Sequence, residues 1–120
     1  MITIYGIPNC DMIKKTMDWF KTNNIAYDFH DYRKEGIGAE KLKEWLSQVP
    51  LDTIFNKNST TYKELPAEIK DTLIDEESAI KAMMGSTSII KRPVVDDDGK
   101  VMAVGFKADK FKAIFTPEAQ

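Results

Sequence analysis

The spacing of strand, helix and strand in residues 1–31 leaves little freedom of topology. Ile2, Ile4 and Tyr5 form a short β-rich run that ends at Gly6, and Pro8-Asn9 carries turn chemistry. Directly after Cys10, Met12, Ile13, Met17 and Phe20 recur at three- and four-residue spacing, while Asp11, Lys14, Lys15, Asp18 and Lys21 take the opposite face. This helix should stop at Asn23-Asn24. Ile25–Asp31 then reads as a second strand, with Ile25, Tyr27 and Phe29 on one face and Asp28 and His30 on the other. A helix between two strands forbids a tight hairpin, so the strands are expected to run parallel with a right-handed crossover.

The middle of the chain is helical and less regular. Ala39–Gln48 carries Leu42, Trp45 and Leu46 in amphipathic register and ends before Pro50. Asn56–Thr61 is a polar loop. Tyr62–Leu73 and Ser78–Met84 read as short helices, with Asp75, Glu76 and Glu77 favouring the N-terminus of the second. Gly85-Ser86-Thr87 breaks the pattern. Ile89–Val95 leads into a hairpin whose turn is Asp98-Gly99, Val101–Val104 returns, and Gly105 closes the strand. Ala108–Phe115 is a last helix, with Phe111, Ile114 and Phe115 inward. The outline is β-α-β, a helical insertion at about residues 38–84, then β-β-α. One α/β domain over residues 1–120 follows, a four-stranded mixed sheet with flanking helices.

The function classes open to such a domain are narrowed by charge. A net charge of −2, with lysines interleaved among Glu and Asp, provides no clustered basic face for direct nucleic acid binding. No apolar run approaches the ~20 residues that span a bilayer. The N-terminus lacks a basic region followed by an apolar stretch, so a cytoplasmic address is expected.

The chain holds one cysteine, Cys10, where the first helix should begin. A thiolate is the reactive form, and a free thiol titrates near ~8.5. Unpaired backbone N–H groups and the macrodipole of a first helical turn favour the thiolate. Lys14 and Lys15 add positive potential one turn on, and Asp11 opposes it. The alternative is a small buried residue without chemistry. Dithiol reductases resolve their mixed disulfides with Cys-x-x-Cys, but Ile13 occupies the second position here. Any redox cycle is therefore monothiol, with an external thiol such as glutathione regenerating Cys10.

The segment Ile4-Tyr5-Gly6-Ile7-Pro8-Asn9-Cys10-Asp11 with Lys14-Lys15 resembles the active-site segment of the arsenate reductase/Spx family. Phe29-His30-Asp31-Tyr32-Arg33-Lys34, and Phe55-Asn56-Lys57 followed by Thr60-Thr61-Tyr62, are similar to its YffB-type branch. Ile90-Lys91-Arg92-Pro93-Val94 resembles the family's Arg-Pro segment. The resemblance covers nearly the whole chain in order. It implies a thioredoxin-like fold with a helical insertion, and a cis Arg92–Pro93 bond next to the thiol.

Arsenate reductases of the family hold the oxyanion with three arginines, and glutathione and glutaredoxin complete the reduction. Arg92 matches one of the three. Asn56 or a neighbour takes the place of the second, and Phe106 stands where the third would be. Only Arg33 and Arg92 exist in the chain, and Lys57 or Lys107 cannot reproduce a bidentate guanidinium grip. Spx-type members bind the C-terminal domain of RNA polymerase α and sense oxidants through Cys-x-x-Cys, a switch that Ile13 removes.

The resemblance thus implies a glutathione-dependent monothiol reductase. Cys10 is its nucleophile, and Arg92, Pro93, Asn9 and Asp11 are the residues expected to hold substrate or glutathione. Glutathione is the co-substrate, glutaredoxin a further partner, and no cofactor is tightly bound. The rival readings are a regulator that contacts RNA polymerase α and a divergent arsenate reductase. Arg92 has the alternative of a surface ion pair, and Asn9 that of capping the first helix. His30, on the polar side of its strand, is assigned a structural role. With one His and one Cys, no metal site of the usual kind is expected. Trp19 and Trp45 are read as core.

Overall fold

The computed structural model describes residues 1–73 and 75–115; residue 74 and residues 116–120, which the expected domain includes, lie outside the described residues. Four strands form one sheet: β1 (Ile2–Gly6), β2 (Asp28–Asp31), β3 (Val94–Asp97) and β4 (Lys100–Val104), in the order β2-β1-β3-β4. β1 and β2 are parallel, as the intervening helix requires, and β3 runs antiparallel to both β1 and β4. The Asp98-Gly99 turn between β3 and β4 has φ of 51° and 94° at its two residues, the left-handed pair of a type I′ hairpin.

Strand alternation divides the interior into two cores. Ile4 and Val95 face helix α1 (Asp11–Thr22) and the last helix, Ala108–Phe115, where Ile13, Phe20 and Phe111 are buried. Tyr5 and Val94 point the other way, into a core with Trp45, Ile54, Ile80 and Met83. That second core is covered by the helical insertion. After the single-turn α2 (Tyr32–Glu35) come α3 (Ala39–Leu46), α4 (Leu51–Ile54), α5 (Thr60–Lys63), α6 (Ala67–Lys70) and α7 (Glu76–Gly85); the last helix is α8.

Three sequence expectations need correction. β2 is shorter than Ile25–Asp31, because Ile25 belongs to the end of α1. Asn24 has φ of 56°, its N–H donates to the Lys21 carbonyl at 3.1 Å, and the Ile25 N–H donates to the Phe20 carbonyl at 2.9 Å. These two bonds form a Schellman motif, which takes up the residues before the strand can start. The facing of the segment still follows its sequence pattern, since Ile25, Tyr27 and Phe29 all pack toward the α1–α8 side.

The helix expected over Tyr62–Leu73 is two single turns, α5 and α6. Pro66 separates them and disfavours helical geometry at Leu65, the residue before it. The third difference is Met12, expected on the inward stripe of α1 but 39% exposed. Its place on the buried face is taken by Thr16, whose hydroxyl donates to the Met12 carbonyl at 2.7 Å and so carries no unpaired donor inward.

α3 is fastened to the β3–β4 hairpin by polar contacts across the core. The Trp45 indole donates to the buried Asp96 carboxylate at 3.0 Å. Gln48 donates to the Gly99 carbonyl and accepts from the Val101 N–H, both at 2.7 Å. The second bond caps a backbone group on edge strand β4, which also bulges at Met102, opposite Val95 and Asp96 of β3. Both features blunt an edge that could otherwise template pairing with another chain.

Candidate functional site

Register places the sequence-predicted residues at one end of the sheet. Tyr5 pairs with Val94 and Gly6 with Asp31, so the end of β1 meets the start of β3 and the end of β2. Val94 also pairs with Val104, which brings the end of β4 to the same side. The loop Ile7–Cys10 leaves from here, as do Arg92-Pro93 and Gly105-Phe106. The Arg92–Pro93 peptide is cis, as the resemblance implied.

Cys10 is the N-cap of α1, with extended backbone (φ −110°, ψ 128°); its carbonyl accepts from the Lys14 N–H at 3.0 Å. No side chain caps this helix, so its first amides lack an intrahelical partner and face the end where the thiol sits. Cys10 is partly buried and packs against the α1–α8 core. Asn9 therefore does not cap the helix. It stands one residue too early, exposed in the turn. Asp11 is the first helical residue and is exposed, as are Lys14 and Lys15.

Gly6 sets how closely α1 can approach β1. A Cβ built on it would run into the Ile13 side chain, with Cγ1 only 2.8 Å away and Cδ1 closer still. Absence of a side chain at Gly6 lets the first turn of α1 sit directly against the strand that leads to the thiol.

Arg92 is half-buried, and its guanidinium makes no ion pair among the described residues. The surface ion pair considered from sequence is thus not formed. In the core on the insertion side lies Tyr32, a buried phenol whose hydroxyl has no hydrogen-bond partner among the described residues. Burial above all, then the proximity of Tyr5 and Asp96, pushes the Tyr32 pKa far up, while the Arg92 charge pulls it down. The phenol stays protonated, a donor without an acceptor among the described residues. Sequence reasoning missed Tyr32, which a resemblance motif contained but no spacing singled out.

His30 belongs elsewhere. Its Nε2 donates to the Gly36 carbonyl at 2.6 Å, its Nδ1 lies 3.6 Å from Glu35, and its ring lies against Tyr5 with centroids 4.8 Å apart. It packs with Tyr5 on the insertion side of the sheet, whereas Cys10 packs on the α1–α8 side. Asn56 accepts from the Asn58 N–H at 3.0 Å and so closes its own loop. The Asn56 N–H and the Lys91 N–H bond to Ile89 and Ile54 respectively, each at 2.8 Å, which ties the insertion to the segment carrying Arg92.

Among the described residues, no group of three or more His, Cys, Asp or Glu is placed to hold a metal ion, and no helix is long and apolar enough to cross a membrane.

Comparison with known proteins matches residues 5–114 to the ArsC family. A solved structure described as the YFFB protein superposes with a TM-score of 0.89 at 38% identity, covering 97% of this chain and 100% of that one. An arsenate reductase (ArsC) related protein from Brucella melitensis gives a TM-score of 0.73 at 43% identity, covering 95% and 93%. The global transcriptional regulator Spx of Lactiplantibacillus plantarum is 25% identical over 114 residues, 93% of this chain and 84% of that protein.

Proposed function

This chain belongs to the ArsC family, and from that premise we propose that it is a monothiol thiol-disulfide reductase working with glutathione through Cys10. The observation that carries the reading is the unpaired, half-buried Arg92 guanidinium at the same end of the sheet as the only thiol. A guanidinium held out of full solvent without a carboxylate is suited to an anionic ligand, and glutathione brings two carboxylates.

The cycle uses one thiol twice. The Cys10 thiolate attacks the glutathionyl sulfur of a mixed disulfide; the Cys10–glutathione bond forms, and the substrate leaves as a thiolate that takes up a proton. A second glutathione thiolate then attacks the glutathionyl sulfur on Cys10. Oxidised glutathione departs and the Cys10 thiolate is restored. Glutaredoxin can supply the second thiol in place of glutathione. The free amides of the first turn of α1 and the Arg92 charge favour the anionic groups at each exchange.

Intact-mass analysis after treatment with oxidised glutathione tests this. One glutathione adduct is expected, absent from Cys10→Ser and slowed in Arg92→Leu. No adduct on the native chain at neutral pH overturns the reading.

The likeness to Spx supports a second reading, a regulator that docks on the C-terminal domain of RNA polymerase α. Capture of that domain by both the native chain and Cys10→Ser would favour it, since contact needs no thiol. Arsenate reduction is the weaker candidate, because a single Arg92 replaces the family's three-arginine clamp. Strong arsenate-dependent turnover with glutathione and glutaredoxin would reverse that ranking.

A further inference from the structure

Beside the α1 N-terminus lies a groove of about 530 Å³ that the chemistry above does not use. Met12, Met102, Phe106 and Ile114 are among the apolar residues that line it, and the exposed Lys107 and Lys110 stand at its rim. Such a volume falls in the range of ligand-binding clefts. Met12 is two residues from Cys10, and Phe106 packs in the same core cluster as Cys10. The groove therefore has one wall on the first turn of α1, the turn that follows Cys10, and runs along edge strand β4 toward α8.

Three features say what fits it. The lining is mostly apolar and includes two methionines, Met12 and Met102, whose flexible thioethers adapt to differing apolar side chains. Both rim lysines are exposed, and neither forms an ion pair among the described residues. Strand addition to β4 is obstructed by the bulge and by Gln48 at Val101, so the occupant engages side chains rather than the edge backbone.

We propose that this groove holds a polypeptide segment of the disulfide substrate, one in which apolar and acidic side chains flank the substrate cysteine. Apolar side chains cover Met12, Met102 and Phe106, and carboxylates meet Lys107 and Lys110. The substrate is then a protein thiol rather than a small one. This rests on the reductase reading, and it is tested without turnover so that the two can fail separately.

The probe is a fluorescein-labelled peptide with a central serine in place of cysteine, flanked by Leu, Phe and two Asp; its counterpart carries two Lys in place of the Asp. Polarisation with the native chain should show preference for the acidic peptide, and Lys107→Glu/Lys110→Glu should lower that preference about tenfold, the effect of reversing two exposed charges. Chemical-shift changes from the acidic peptide should fall on Met102–Phe111. Equal binding of the two peptides, shift changes mapping elsewhere, or no binding of either peptide up to millimolar concentration would each overturn the proposal. The oxidised-glutathione adduct on Cys10 is read independently, so its absence would sink the reductase reading while leaving the groove result standing.

Discussion

Replacing Gly6 with Ala tests how the thiol is positioned. The added Cβ lands against Ile13, 2.8 Å from Cγ1 and nearer to Cδ1. Ile13 is fully buried between β1 and the helix, so its side chain has no open space to move into. Overpacking of this kind costs about 1–3 kcal/mol. Gly6 is not in the left-handed region, so Ala adopts its backbone without strain and recovers about 0.4–1 kcal/mol by restricting the unfolded chain. The net loss should be about 1–2 kcal/mol.

The steric cause gives this change a signature. Ile13→Val removes Cδ1, the atom that meets the new methyl most closely, and by itself costs about 0.5–1.5 kcal/mol. If the clash is the origin, the double variant is less destabilised than the sum of the singles, by about 1 kcal/mol. Urea denaturation of the four proteins measures this coupling. The rate of glutathione adduct formation at Cys10 should fall with Gly6→Ala and recover in the double variant. Strict additivity would refute the argument, because it would mean that Gly6 acts through chain entropy and not through its contact with α1.

Two further perturbations probe the insertion. Asp96→Ala strands the Trp45 indole N–H and should cost about 1.5–3 kcal/mol, the range for hydrogen bonds to charged groups; a thermodynamic cycle with Trp45→Phe should return a coupling of at least about 1 kcal/mol. Lys41, 3.7 Å from Asp96 and about a third exposed, contributes little to that sum. Asp75 caps α7, and the Ser78 N–H it accepts, followed by the Ser78 hydroxyl, holds its carboxyl below the usual value. A depressed carboxyl stabilises the fold above its unfolded pKa of about 4 and loses that contribution as pH falls through the folded one. Asp75→Asn should therefore match the native chain's urea midpoint less well at neutral pH than in acid, where the two should converge.

The parts of the fold legible in the sequence are those fixed by local pattern. A twelve-residue helix between two strands dictates the parallel pair, and Asp98-Gly99 dictates the hairpin, because only residues tolerant of positive φ serve both turn positions. Cys10 was legible by count and by position. What local pattern could not show is what meets across the sheet. Asp96 reads as a surface acid in the run Asp96-Asp97-Asp98, yet it is buried against a tryptophan fifty-one positions away. Met12 fits the apolar stripe of α1 by spacing, but β4 and α8 leave that side open and make it a groove wall. Tyr32 sits in a charged segment and is nonetheless buried, because α2 turns it under the insertion.

These non-local contacts bear on the reductase reading proposed above. Cys10 packs against the α1–α8 core, whereas Arg92 leads into β3 from a segment bonded to the insertion. Cys10 and Arg92 thus reach the same end of the sheet from segments held by different cores, and the cis Arg92–Pro93 peptide stands at that end. Under the reductase reading proposed above, a ligand that engages both would lie across this end of the sheet. Glutathione is extended and carries a carboxylate at each end, whereas arsenate is a single compact oxyanion. Within that proposal, a chain whose only arginines are Arg33 and Arg92 is better matched to a thiol peptide than to an oxyanion that needs a three-arginine grip.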